Sequence, residues 1–206
     1  MRSFTKALFA FAACAFLVQA ANAFLNPLTP EQVDEAYSIG RDADHGQAFF
    51  QHYIHFPAPQ PTGPDVHLIE FETPFEQVAR RAQEHWANYD RLDAERDYAA
   101  NPSQVIVRVF ICGSRTFSFP QPPSGTTSWQ DKDYLRGFAF DVSQSELIQP
   151  EKFSVRRASL GCAESDALEA FLHFSAQQFG PGIAKVEVIG PGGQTFRADF
   201  DLDDLK

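Results

Sequence analysis

Positive charge is in short supply: 17 lysines and arginines stand against 27 aspartates and glutamates, for a formal net charge of −10. Binding to a phosphate backbone without regard to sequence needs clustered Lys and Arg, so nucleic acid is excluded as a partner. Long apolar runs are missing as well. The longest, Ala7 to Val18, gives way to Gln19 and Asn22, whereas a membrane-spanning helix needs roughly 20 consecutive apolar residues. Familiar catalytic signatures are absent too. There is no GxSxG elbow, no HExxH helix and no phosphate-binding loop, since "GPGG" at 190–193 has no lysine after it.

Cysteine is nearly absent, and where its three copies fall is informative. Arg2 and Lys6 precede the Ala7–Val18 run, and small residues at Ala21 and Ala23 follow it. That order of charged, apolar and small segments is an export signal, with residues 1–23 removed after Ala23. Cys14 in "FAAC" lacks the leading Leu and the polar residues of a lipid-attachment box, so it is expected to leave with the signal. Loss of Arg2 and Lys6 takes the net charge to −12, an acidity that reads as solubility. Cys112 and Cys162 remain, and in an exported chain two thiols form one disulfide, here closing a loop of about 50 residues and contributing about 3–4 kcal/mol. The competing reading, a nucleophilic Cys112 in "CGSR", takes second place.

Residues 24–206 suffice for one large domain or two small ones. Two helix starts are legible: "LTPEQV", with Thr29 as cap, Pro30 at the first helical position and Gln32 three after the cap, and "ETPFEQV", which repeats the device with Thr73, Pro74 and Glu76. The first helix is expected to stop at Gly40. A second, opened by Asp42 or Asp44, is expected to reach about His55 before Pro57 ends it. The third carries a stripe of Phe75, Val78, Ala79, Ala82, Trp86 and Tyr89, with a break or new cap at Asp90 or Asp93. "VHLIEF" reads as an early strand at the edge of a sheet.

After Pro102 the apolar period changes from helical to two. "QVIVRVFIC" puts Val105, Val107, Val109 and Ile111 on one face, with Ile106, Arg108 and Phe110 on the other. Further strands are expected at "RTFSF", "LRGFAFDV", "KFSVRRASL", "ALEAFLHFS", "AKVEVIG" and "QTFRADFDL", with "IGPGGQ" as a hairpin turn. The segment 166–178 also fits a helix opened by Asp166, but its short, aromatic run among strands favours a strand. The expected fold is therefore α+β. An N-terminal helical region of about three helices with one early strand (24–102) precedes an antiparallel β-sandwich of about seven strands (103–206), packed with the helices as one compact unit.

Four of the six histidines, His45, His52, His55 and His67, lie in "DHGQAFFQHYIHFPAPQPTGPDVH". On a helix from 45 to 55, the first three fall within about 80° on one flank. His45 and His52 are about 10.5 Å apart along the axis, too far to share an ion. His52 and His55 are one turn apart and could hold Zn with His67 returning as third ligand. The spacing fits no metal motif, and the competing reading is a helix flank whose imidazoles face water, or a patch that titrates near pH 6.5.

Asp42 and Asp44 resemble the start of a calcium loop, but Gly46 is fifth rather than sixth and Tyr53 stands where a bidentate Glu is needed. Asp199, Asp201, Asp203 and Asp204 form an acidic end that reads as solvated. Arg156 and Arg157 on a strand face opposite ways and read as separate surface residues. Trp129, with Phe117 and Phe119, is a candidate aromatic platform for carbohydrate, against the alternative that these rings pack on their own sheet.

No catalytic residue set emerges from these patterns. The functional expectation is a non-enzymatic binding or interaction module of the cell envelope or extracellular space, without a cofactor, whose partner is an unspecified protein or envelope component. The competitor is a metal-assisted hydrolase using Zn held by His52, His55 and His67.

Overall fold

A computed structural model describes residues 24–121, 130–158, 162 and 166–206. Residues 1–23, read above as an export signal, and Trp129 lie outside the described residues.

Helix α1, Pro30–Arg41, opens on the expected device: Thr29 accepts from the Gln32 amide and Gln32 Oε1 accepts from the Thr29 amide at 2.8 Å. It does not stop at Gly40. That residue sits within α1 against helix α3, Pro74–Glu84, where a Cβ would stand 1.9 Å from the Ala79 carbonyl oxygen. The glycine is there for close packing, and Asp42 makes the turn. The Asp42 amide bonds back to the Ile39 carbonyl, while its carboxylate caps α2, Ala43–Phe50, through the amides of Asp44 and His45.

Helix α2 ends at Phe50, short of the expected His55. A 3₁₀ turn, Gln51–Tyr53, follows, then strand β1, Ile54–His55. Two forces override the helical pattern. Tyr53 is drawn into the core, where its hydroxyl accepts from the Lys206 amide at 3.0 Å. Ile54 and His55 pair with Glu70 and Ile69 of β2, Asp65–Glu72, and Pro57 disfavours helix at the residue before it.

Thr73 caps α3 as its sequence implies, accepting from the Glu76 amide. The carboxyl of Glu76 does not close the box; it turns to Arg80 at 2.7 Å. Phe75, Val78, Ala79 and Ala82 are buried, but Trp86 falls past the end of α3 and is exposed, with the Arg41 guanidinium 4.0 Å from its ring centroid. Asp90 caps α4, Arg91–Ala100.

The strands that follow are β3, Gln104–Cys112; β4, Ala139–Ser143; β5, Leu147–Ile148; β6, Lys152–Ala158; β7, Ala167–Ser175; β8, Ile183–Ile189; and β9, Thr195–Asp201. A short helix α5, Asp131–Tyr134, precedes β4. They form two antiparallel sheets, ordered β1-β2-β3-β7-β6 and β5-β4-β8-β9. "RTFSF" forms no strand, only a bridge between Ser114 and Phe117. The ambiguous segment is β7, a central strand paired on both sides. Strand β2 lies inside the larger sheet rather than at its edge, between β1 and β3, so the half of the chain that supplies the helices also supplies two strands.

The sheets pack face to face as a sandwich. Ile69, Phe71, Val107, Val109, Ala170 and Leu172 of one meet Val186, Val188, Ala198 and Phe200 of the other in a single buried cluster. Each buried phenyl contributes about 2–3 kcal/mol. A second cluster, around Val33, Ala36, Phe75 and Ala79, holds the helices together. Phe49 packs against both clusters, 4.9 Å from the Tyr53 ring and 5.8 Å from that of Phe75. Cys112 and Cys162 form the expected disulfide, with Cα atoms 5.8 Å apart. The acidic end is exposed at its aspartates but anchored by buried Leu202 and Leu205.

Candidate functional site: a charged cleft and an aromatic groove

The outer face of the larger sheet carries charge where its neighbours are apolar. Arg108, in the middle of β3, lies opposite Glu70 of β2, and Glu169 of β7 lies opposite Arg156 of β6. Side-chain alternation places all four on one side. Arg108 donates to Glu70 Oε2 at 3.1 Å and to Glu169 Oε1 at 3.0 Å; Arg156 Nε donates to Glu169 Oε2 at 2.7 Å. From above, Arg80 of α3 reaches down to Glu70 while holding Glu76. The result is one continuous series, Glu76, Arg80, Glu70, Arg108, Glu169, Arg156, running from a helix across four strands.

Burial makes this series unusual. Glu70 and Glu76 are 0% exposed and Glu169 is 3% exposed. Beside them Glu72, at 7%, has no hydrogen bond or ion pair to its carboxyl among the described residues, and Glu76 Oε2 is likewise without a partner. Burial raises the Glu72 carboxyl from its usual value near 4.5 to about 8, and the adjacent Glu70 charge adds to the rise. Glu76 is pushed well above its usual value by burial, against the pull of Arg80. Glu70 is raised for the same reason, opposed by Arg80 and Arg108. For Arg80 and Arg108 burial works against the charged form, but the surrounding carboxylates outweigh it and both guanidiniums stay charged. A carboxyl raised this far beside a cleft marks the place as a candidate site.

Glu72 opens into a cleft of about 150 Å³ between α3 and the sheet, lined also by Arg80, Arg81, Glu84, Arg108, Arg156 and Phe171. Gln77 fixes its depth by donating to the carbonyls of Glu72 and Gln104, which ties the start of α3 to two strand ends.

The second concavity is chemically opposite. Phe117, Phe138, Phe140 and Phe153 form a row with ring centroids 5.8, 6.2 and 5.6 Å apart. Phe119, buried, sits 5.3 Å from Phe117. The last three of the row line a groove of about 280 Å³ where β4 of one sheet faces β6 of the other, and its floor is Leu172, 2% exposed and part of the sandwich core. Among the described residues no titratable side chain lines it.

The histidines are dispersed. His45 pairs with Asp42 at 2.7 Å, the same carboxylate that caps α2. His52 is exposed on the 3₁₀ turn and His55 lies on β1, so the one-turn spacing that would have joined them on a helix does not exist. His67 sits exposed at a bulge in β2, its ring 6.1 Å from those of Phe56 and Phe110. Among the described residues no three His, Cys, Asp or Glu side chains are grouped to hold a metal ion.

Arg156 and Arg157 do face opposite ways, but neither stands alone. Arg156 ends the charged series, and Arg157 donates to Gln121 Oε1 and covers the Tyr134 ring. The sequence does carry a signal for this series: charges of alternating sign, Glu70, Arg108, Glu169 and Arg156, fall within the four neighbouring strand segments "LIEFE", "VIVRVF", "ALEAFL" and "SVRRAS". Among the described residues no helix is long and apolar enough to cross a membrane. No protein-family model, curated protein or solved structure matches the chain.

Proposed function

We propose that this chain is an exported, non-enzymatic binding protein that takes an apolar chain of an envelope component, such as a fatty acyl group, into the aromatic groove between β4 and β6. The observation that carries this reading is the groove's lining. Phe138, Phe140 and Phe153 remain partly open to solvent around a slot that reaches the core at Leu172 and, among the described residues, contains no charged side chain. An uncharged slot that penetrates between two sheets suits a slender apolar chain better than a flat protein face, which would be met by a rim of polar groups. The leader-like first 23 residues and the disulfide support export.

The test is displacement of a fluorescent apolar probe, N-phenyl-1-naphthylamine, by medium-chain fatty acids. Saturable probe binding is expected, with Phe140→Ala weakening it about tenfold, the loss appropriate to roughly half of a buried phenyl contact. Binding that does not saturate, or that survives Phe140→Ala unchanged in a protein of unaltered circular dichroism, would remove the groove as the site.

A further inference from the structure

The charged cleft is not used by that reading, and its contents are unbalanced. Arg80 is engaged by Glu70 and Glu76, Arg108 by Glu70 and Glu169, Arg156 by Glu169, and Arg81 by Asp97 at 2.7 Å. Every guanidinium in the cleft therefore already has a carboxylate. The acceptor side is in surplus: Glu72 is 7% exposed, faces the cleft and, among the described residues, has no donor to its carboxyl.

We infer that the cleft between α3 and the outer face of the larger sheet binds a small organic cation, a guanidinium or primary ammonium group, with Glu72 as its principal acceptor. Three observations fix the class. An anion would find each guanidinium occupied. A metal ion would need grouped ligands, and among the described residues no three are so placed. A planar or compact organic cation supplies N–H donors, which is what Glu72 lacks, and the chain shows how one is held there. The Arg156 guanidinium, 67% exposed, lies against the Phe171 face at 5.3 Å while donating to Glu169. The cleft, of about 150 Å³, admits a cationic head group and a short stem.

Such a ligand would exchange one proton for one charge. The charged groups around Glu72 are Glu70 on its own strand, Arg108 on β3, Arg156 on β6, and Glu76, Arg80, Arg81 and Glu84 on α3. In their field Glu72 holds its proton at neutral pH. Binding of the cation favours the carboxylate, the proton leaves to buffer, and the net charge of the complex is unchanged.

The experiment is a titration of the intact protein with methylguanidinium and with n-butylammonium at constant ionic strength. It is followed by backbone amide NMR and by calorimetry at pH 7 in two buffers of different ionisation enthalpy. Saturable shifts at the amides around Glu72 and Ile106 are expected, with release of close to one proton. Glu72→Gln should weaken binding tenfold or more. Comparable saturation by acetate, absence of saturation by either cation, or equal binding by a folded Glu72→Gln protein would each overturn the inference. The acetate comparison and the proton count need only the unmodified protein. A blocked Gly-Arg-Gly peptide distinguishes the source of the group: tighter binding than methylguanidinium points to an arginine side chain of a polypeptide, equal binding to a free cation.

Discussion

Replacing Glu72 by Gln tests the electrostatics of the cleft most directly, because the side chain keeps its shape and loses only its ionisation. In the unfolded chain the carboxyl titrates near 4.5; in the folded chain, at about 8. A folded value above the unfolded one means that Glu72 costs nothing below about pH 4.5, where both states hold the proton. Between the two values the unfolded state ionises and the folded state does not, so wild-type stability falls by about 1.4 kcal/mol per pH unit. The full loss, up to about 5 kcal/mol, is reached above pH 8. Glu72→Gln removes this contribution and leaves the neighbouring carboxylates in place. Urea unfolding of both proteins at intervals from pH 4.5 to 9, in phosphate and borate buffers free of organic cations, isolates it as a difference. The variant should match the wild type near pH 4.5 and gain on it steadily to pH 8, then level off. A difference that stays flat across that range, or one that favours the wild type at pH 9, would refute the placement of Glu72 as a buried carboxyl without a donor.

Arg108→Met should cost about 3–5 kcal/mol at pH 8, since buried Glu70 and Glu169 each lose one of their two guanidiniums. The cost should shrink toward pH 5 as Glu70 takes up a proton. Urea midpoints at the two pH values check both statements, and a pH-independent loss below about 1 kcal/mol would contradict them. Gly40→Ala should lower the melting temperature sharply, because its Cβ would stand 1.9 Å from a backbone oxygen that cannot move without shifting α3. Calorimetric melting reads this, and an unchanged midpoint would show that α1 and α3 do not approach so closely.

Local signals in the sequence translated into structure where the physics is local. Thr29 and Thr73 cap helices because a hydroxyl, a proline and the following turn are within three residues of one another. β3, β6, β7, β8 and β9 follow from period-two alternation, and β7 became a strand rather than a helix because both of its neighbours offer an edge. Signals that depend on a distant partner are ambiguous in the sequence. Gly40 looks the same whether it ends a helix or admits another helix's backbone, and only α3 decides between them. Ile54 and His55 fit a helix until β2 offers them hydrogen bonds. Arg108 was placed on the correct face of β3, but its partners are fixed by the registers of β2 and β7, which no single segment contains. Glu72 was invisible for the same reason: its burial comes from α3 folding over it.

The charged series also constrains how the sheet can be wrongly assembled. Valine-rich strands such as β3 have little in their inner faces to distinguish one alignment from the next. A slip of one residue would turn Arg108 toward Val186 and Val188, and a slip of β7 would do the same to Glu169. A slip of two keeps the faces, and for β2 against β3 it sets Arg108 beside Leu68 in one direction and beside Glu72 in the other, so the charges oppose odd slips more than even ones. A pairing misaligned by one residue thus carries a buried, unpaired charge, a cost that the native register avoids.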